Sequence, residues 1–273
     1  MPVNCRETPV NVNSLNFWID HLQAGGRYSF TRGEAFNASG LSPDALSKSL
    51  QRLASKNRVA KVKENFYAIV PLEYLSAGAP PAVWFADELM RSMRLPYYVG
   101  LLSAAALHGA SHHQPQEFQI VTAASQRALQ VGRQRIRFFV RRGVAGTPVT
   151  HIKTPTGTVR VSTPEATALD LVRFAKESGY FDNIVTVLSE LAERINPEEL
   201  GRAAERNAAM PTVQRLGYLL DLAGAGAAAA PLAEIVRRRR PRTVSLRSDR
   251  PAKTDERNAR WALLVNEHVG AEV

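Results

Sequence analysis

Between Ser42 and Lys56 the sequence sets out side chains able to read base edges. Leu46, Leu50 and Leu53 fall within about 60° of one another on a 3.6-residue wheel and make an apolar stripe. Asp44, Lys48, Gln51, Arg52 and Ser55 take the opposite face, with Ser47 at its edge and Ser42 at its start. Lysine and arginine suit guanine edges or phosphate, glutamine suits adenine, and serine suits either. Every surface helix has a solvated face, so the neighbours must decide. Arg58, Lys61 and Lys63 follow on a basic hairpin with little opposing acid. Such a wing holds phosphates or enters a minor groove. Thr31 and Arg32 stand at the start of the preceding helix, where an N-terminus can lie against a phosphate backbone. Together these residues predict binding to double-stranded DNA. RNA fits less well, because no aromatic platform stands at module spacing.

A second basic stretch, Arg133–Arg142, alternates in type. Ile136, Phe138 and Val140 are expected on one face of a strand, and Arg135, Arg137, Phe139 and Arg141 on the other. Arg133, Arg135, Arg137, Arg141 and Arg142 therefore have three readings. They are a solvated strand face, a second phosphate-contacting surface reached by bent DNA, or a surface for an acidic partner. Arg237–Arg240 with Arg242 form another run, but four adjacent arginines on a helix point around the whole cylinder and cannot serve one groove.

The remaining candidates for chemistry are weak. His108, His112 and His113 lack a nearby carboxylate or thiolate, and the single cysteine, Cys5, lies far off, so no metal site is expected. Glu165 and Asp170 are five residues apart, about 140° around a helix, and do not share one site easily. No Gly-rich phosphate loop, nucleophile elbow, zinc-protease motif or Cys/His dyad occurs. The expectation is a protein without enzymatic activity, metal or cofactor.

The elements that must position the reading face follow from local signals. Asn13–Ala24 has helical apolar spacing and stops at Gly25-Gly26. Arg27–Phe30 is short and extended. Thr31 with Glu34 makes a capping box for a second helix that ends near Gly40. Ser42-Pro43-Asp44 opens the third. Val59–Lys63 and Phe66–Val70 read as a hairpin turning at Glu64-Asn65. Helix, strand, helix, helix, hairpin is the plan of a winged helix-turn-helix. Beyond it, Ala82–Arg94 and Gly100–Gly109 read as helices and Phe118–Thr122 as a strand. Val149–Lys153 and Thr158–Ser162 read as a hairpin. Thr163 caps a helix to about Phe174, and residues 180–223 read as three helices. Gly224–Ala230 reads as a low-complexity connector, Leu232–Arg240 as a short helix and Arg260–Val265 as a closing strand. The expected class is α/β (α+β). A winged helix-turn-helix over 1–73 and a linker over 74–81 precede a larger mixed domain over 82–273.

Charge supports this division of labour. The chain has 273 residues, with 35 Lys+Arg against 25 Asp+Glu. The net charge of +10 points to a polyanion. Residues 1–78 hold +3, 79–175 hold +6, 176–231 hold −3 and 232–273 hold +4. The N-terminus lacks an apolar signal region, and no stretch has the roughly 20 apolar residues of a spanning helix. A cytoplasmic protein without membrane contact is expected.

The sequence also resembles a known family. The segments are YSFTRGEAFNASGLSPDALSKSLQRLASKNRVAKVKENFYAIVP, YYVGLLSAAALHGASHHQPQEFQIVT, VRVSTPEATALDLVRF and RWALLVN, of which the middle two are the more specific. It is similar to the AbiEi antitoxins of type IV toxin–antitoxin and abortive-infection loci. That resemblance implies a winged helix that represses its own operon at promoter inverted repeats. Carried over, the reading helix is Ser42–Lys56 and the wing Val59–Ile69. It also implies a C-terminal domain that counters a nucleotidyltransferase-type toxin, with direct contact left open. A stand-alone repressor with a ligand-sensing C-terminal domain remains the alternative. A nucleic-acid enzyme would need clustered acids, and those in 79–175 are scattered.

Overall fold

The computed structural model describes residues 15–110, 115–250 and 256–270. The chain divides into two compact units. The first takes the residues up to Arg94 together with 128–136 and 153–159; the second takes 95–127, 137–152 and the chain from Arg160 on.

The first unit opens with α1 (Leu15–Ala24), β1 (Ser29–Thr31), α2 (Arg32–Ser39), α3 (Pro43–Ser55), β2 (Val59–Lys63) and β3 (Phe66–Ile69). The three strands form an antiparallel sheet in the order β1-β3-β2. Phe30 sits opposite Tyr67, and Lys61 opposite Tyr67 on the other side. This is a winged helix-turn-helix. Its core is the expected stripe of Leu46, Leu50 and Leu53, closed by Leu15, Ile19 and Phe30. Phe30 stacks on Tyr67 at 5.5 Å between ring centroids, with Trp18 edge-on to Phe30 at 5.2 Å.

The stretch 74–81 is packed rather than extended. Tyr74 meets Trp84 of α4 (Ala82–Ser92) edge-on at 5.3 Å, and Ala79 is fully buried. Helix α4 and two hairpin tips, left on the C-terminal side by the 1–73 and 82–273 boundaries, belong to this first unit, where α4 packs on β1 and β3 and one tip meets β2 through residues 129–131.

The second unit is built on β4 (Tyr97–Val99), α5 (Leu101–Leu107) and β5 (Glu117–Thr122). The same sheet takes in β6 (Leu129–Val131), β7 (Gln134–Val140), β8 (Val149–Thr154) and β9 (Gly157–Ser162), of which β6 and the tip residues of the other three fall in the first unit. The strand order is β6-β7-β5-β4-β9-β8. Strand β4 runs antiparallel to β5 and parallel to β9. Five helices follow: α6 (Pro164–Arg173), α7 (Tyr180–Leu191), α8 (Pro197–Asn207), α9 (Met210–Leu222) and α10 (Gly226–Arg239). Thr163 caps α6, as its Thr-Pro-Glu signature implies, and Asn196 caps α8 by accepting from the Glu199 N–H at 3.1 Å.

Two expectations near the C-terminus are corrected. Gly224–Ala230 is not a connector: from Gly226 it is the first five residues of α10, with Ala228 and Ala229 buried. Alanine is the strongest helix former, and small side chains let α10 approach α8 and α9 closely. The closing strand is also shorter. In a small sheet of β10 (Val244–Ser245), β11 (Arg257–Asn258) and β12 (Leu263–Leu264), only Leu263–Leu264 of the expected strand is extended. The residues before it turn so that Trp261 is fully buried. Its indole N–H donates to Asp221 at 2.6 Å. A Cβ on Gly217 of α9 would stand 2.1 Å from that ring, so glycine is required there.

Candidate nucleic-acid interface

Helix α3 owes its position to its ends. Ser42 Oγ accepts from the Ala45 N–H at 3.3 Å, and Pro43 fills the first turn. Lys48, Gln51, Arg52 and Ser55 are all exposed and line one shallow concavity with Leu41, Ala45 and Ser49. Their spacing puts them on one face. Asp44 is exposed at the start of the helix. Arg52 donates to Ser49 Oγ at 3.1 Å, and Ser55 Oγ to the Arg52 carbonyl at 2.9 Å.

Several of the flanking residues hold the motif together. Thr31 is half-buried in the expected capping box: its N–H donates to Glu34 Oε2 at 2.7 Å, and the Glu34 N–H donates to Thr31 Oγ1 at 3.2 Å. Arg32 links the two helices, donating to Ser47 Oγ at 2.7 Å and to the Pro43 carbonyl at 3.2 Å. Arg58 is turned back to α1, donating to Gln23 at 3.1 Å and pairing with Asp20. Lys61 is exposed on the wing, while half-buried Lys63 reaches Met93 Sδ at 3.9 Å. Lys48, Gln51, Arg52, Ser55 and Lys61 thus project, Ser42 and Asp44 are exposed at the start of α3, and Arg32, Ser47 and Arg58 also stiffen the frame.

The capping box carries a pH prediction. Burial pushes the Glu34 carboxyl up, but the Thr31 N–H and hydroxyl and the Arg27 guanidinium at 2.7 Å outweigh it, so Glu34 titrates below its ordinary value. A depressed carboxylate contributes stability above the unfolded value and loses it as pH falls through the folded one. Thermal melts of wild type and Glu34→Gln should therefore differ most near neutrality and converge in acid. A difference that widens below pH 4 would contradict the assignment.

The second basic stretch is not one surface. Its alternation breaks: Phe139 is buried while Val140 is 49% exposed. Arg141 points inward with a 9% exposed side chain, because a buried acid waits for it. Asp170, fully buried on α6, lies 3.5 Å from Arg141 and 3.2 Å from Arg173. The Tyr98 hydroxyl donates to Asp170 at 2.6 Å, and Arg141 donates to Tyr98 at 2.9 Å and to Thr147 Oγ1 at 2.8 Å. Burial pushes the Asp170 carboxyl up, with Arg141 foremost among the groups pulling it back. Arg137 pairs with Glu117 at 3.1 Å. Arg133, Arg135 and Arg142 are exposed.

The sequence weighed Asp170 only against Glu165, because Tyr98 and Arg141, which surround it, are far away in the chain. Glu165 likewise has a task beyond its own helix, accepting from the Asn196 N–H at 2.8 Å. His108 Nε2 lies 2.7 Å from the Ser162 carbonyl. His112, His113 and Cys5 lie outside the described residues.

The Tyr98–Asp170 frame falls inside a recognised domain. Residues 98–222 match the family model described as the AbiEi antitoxin C-terminal domain. The matched stretch runs from β4 to the end of α9 and is similar to the AbiEi antitoxin domain. That match supports an antitoxin role in a toxin–antitoxin system. No curated protein matches the chain. Among solved structures, the fold is similar to the crystal structure of the RV2827C protein from Mycobacterium tuberculosis, with a TM-score of 0.63 at 15% identity, covering 90% of this chain and 89% of that one. Among the described residues, no helix is long and apolar enough to cross a membrane.

Proposed function

We propose that the protein is a DNA-binding antitoxin that represses its own operon and counters a nucleotidyltransferase-type toxin through its AbiEi domain. The observation that carries the DNA half is the exposed stripe of Lys48, Gln51, Arg52 and Ser55 on α3 of a winged helix. In this reading α3 enters the major groove and the wing, with Lys61 at its exposed side, meets the phosphate backbone. Residues 1–73 carry the DNA contact and 82–273 the antitoxin task, in the cytoplasm where the operon is. Repression is by occlusion of the promoter. The type IV assignment and the nucleotidyltransferase nature of the toxin rest on the family resemblance.

The decisive experiment is a footprint of the purified full chain on its own upstream region. Two protected half-sites in inverted orientation are expected, their centres one or more helical turns of about 10.5 base pairs apart. Absence of protection at protein concentrations that saturate the toxin assay would remove the repressor function.

A further inference from the structure

We propose that the β6–β7 hairpin is a second arm of the DNA interface, with Arg133 and Arg135 contacting phosphates beside the groove that α3 enters. This rests on the DNA-binding reading above and extends it to residues far from the winged helix in sequence.

The hairpin tip belongs to the same compact unit as the wing, and β6 packs beside the wing strand β2. It is clamped there. Gln134 accepts from the Ala82 N–H at 2.8 Å, so its amide serves as the cap that Pro81 cannot give α4, and it donates to the Pro80 carbonyl at 2.8 Å. The Arg133 N–H donates to the Ala77 carbonyl at 2.8 Å. Gly132 has φ +56°, and a Cβ on it would stand 2.2 Å from the Ala77 carbonyl oxygen, so only glycine permits this approach. In a strand, neighbours point to opposite sides. Gln134 turns in to the 79–82 segment, and Arg133 and Arg135 on either side of it are both exposed.

Two guanidiniums held on a rigid hairpin next to a basic wing suit a phosphate backbone, whose charges lie along the same path as the groove. The other arginines of the stretch, Arg137, Arg141 and Arg142, fall in the second unit, and Arg141 is buried there against Asp170. The basic stretch thus divides by unit, and only its first part shares a unit with α3.

The test compares full-length wild type with Arg133→Ala/Arg135→Ala and Lys48→Ala/Arg52→Ala on the upstream duplex and on an unrelated duplex. Lys176→Ala/Arg206→Ala is the control for lost charge. Removing two phosphate contacts should flatten the slope of log affinity against log salt by about 1.8. The advantage of wild type over the hairpin variant should then fall about tenfold between 50 and 200 mM salt. Preference for the upstream duplex should be unchanged, because phosphate contacts carry no sequence information. A hairpin variant that binds like wild type, or loses no more than the control, overturns the proposal while the loss in Lys48→Ala/Arg52→Ala keeps the DNA-binding reading. A wild type that binds neither duplex overturns both.

Discussion

Lys48→Ala combined with Arg52→Ala is expected to abolish specific operator binding while leaving toxin neutralisation intact. Each good bidentate contact to a base is worth about 1–3 kcal/mol of discrimination. Losing two should weaken specific binding by roughly two to three orders of magnitude, which brings it to the level of nonspecific binding. The fold should tolerate the change. Both side chains are exposed, and the side-chain bond lost is the 3.1 Å contact from Arg52 to Ser49 within α3 itself. Fluorescence anisotropy on the upstream duplex reads the first half of the prediction, and growth rescue in cells expressing the toxin reads the second. Unchanged binding would mean that α3 is not the reading head. Loss of rescue together with loss of binding would mean that the two tasks are not separable. Arg58 makes an informative contrast. It carries the same charge nearby, but its partners are Asp20 and Gln23 of α1, so its removal acts on the packing of the winged helix as well as on charge.

What the sequence revealed here is what local chemistry decides. The Thr31–Glu34 capping box, the Ser42-Pro43 start and the Leu46–Leu50–Leu53 stripe each depend on residues within two turns, and all three stand in the structure as read. Pairings between distant segments were hidden. The alternation through Arg133–Arg142 suggested one face of arginines, yet Asp170, placed by a helix that begins more than twenty residues later, draws Arg141 inward. Gly226–Ala230 looked featureless because its role is to let helices come close, and that shows only once α8 and α9 are present. The site residues divide the same way. Side chains that project from α3 were legible from periodicity. That Arg32, Ser47 and Arg58 are tied to neighbouring backbone and side chains was not, because a polar residue's type is the same whether it faces DNA or a carbonyl.

The second large effect belongs to the antitoxin domain. Replacing Asp170 by alanine should destabilise it by about 3–5 kcal/mol, because it strands the Arg141 and Arg173 guanidiniums without their shared acid. For a domain of this size that corresponds to a fall in melting temperature of roughly 10 °C. The cause is desolvation: Arg141 is only 9% exposed and Asp170 not at all, so water cannot replace the lost carboxylate. The Tyr98 hydroxyl also loses its acceptor at 2.6 Å. Leucine at both 141 and 170 removes the two most deeply buried charges together, leaves only the more exposed Arg173 without its acid, and should cost less than alanine at 170 alone, since an unpaired buried charge is worse than none. Urea unfolding of the two variants, followed by circular dichroism, orders them. If the double variant is the less stable of the two, the arginine and aspartate do more than neutralise each other, and the hydrogen bonds from Arg141 to Tyr98 and Thr147 become the dominant contribution.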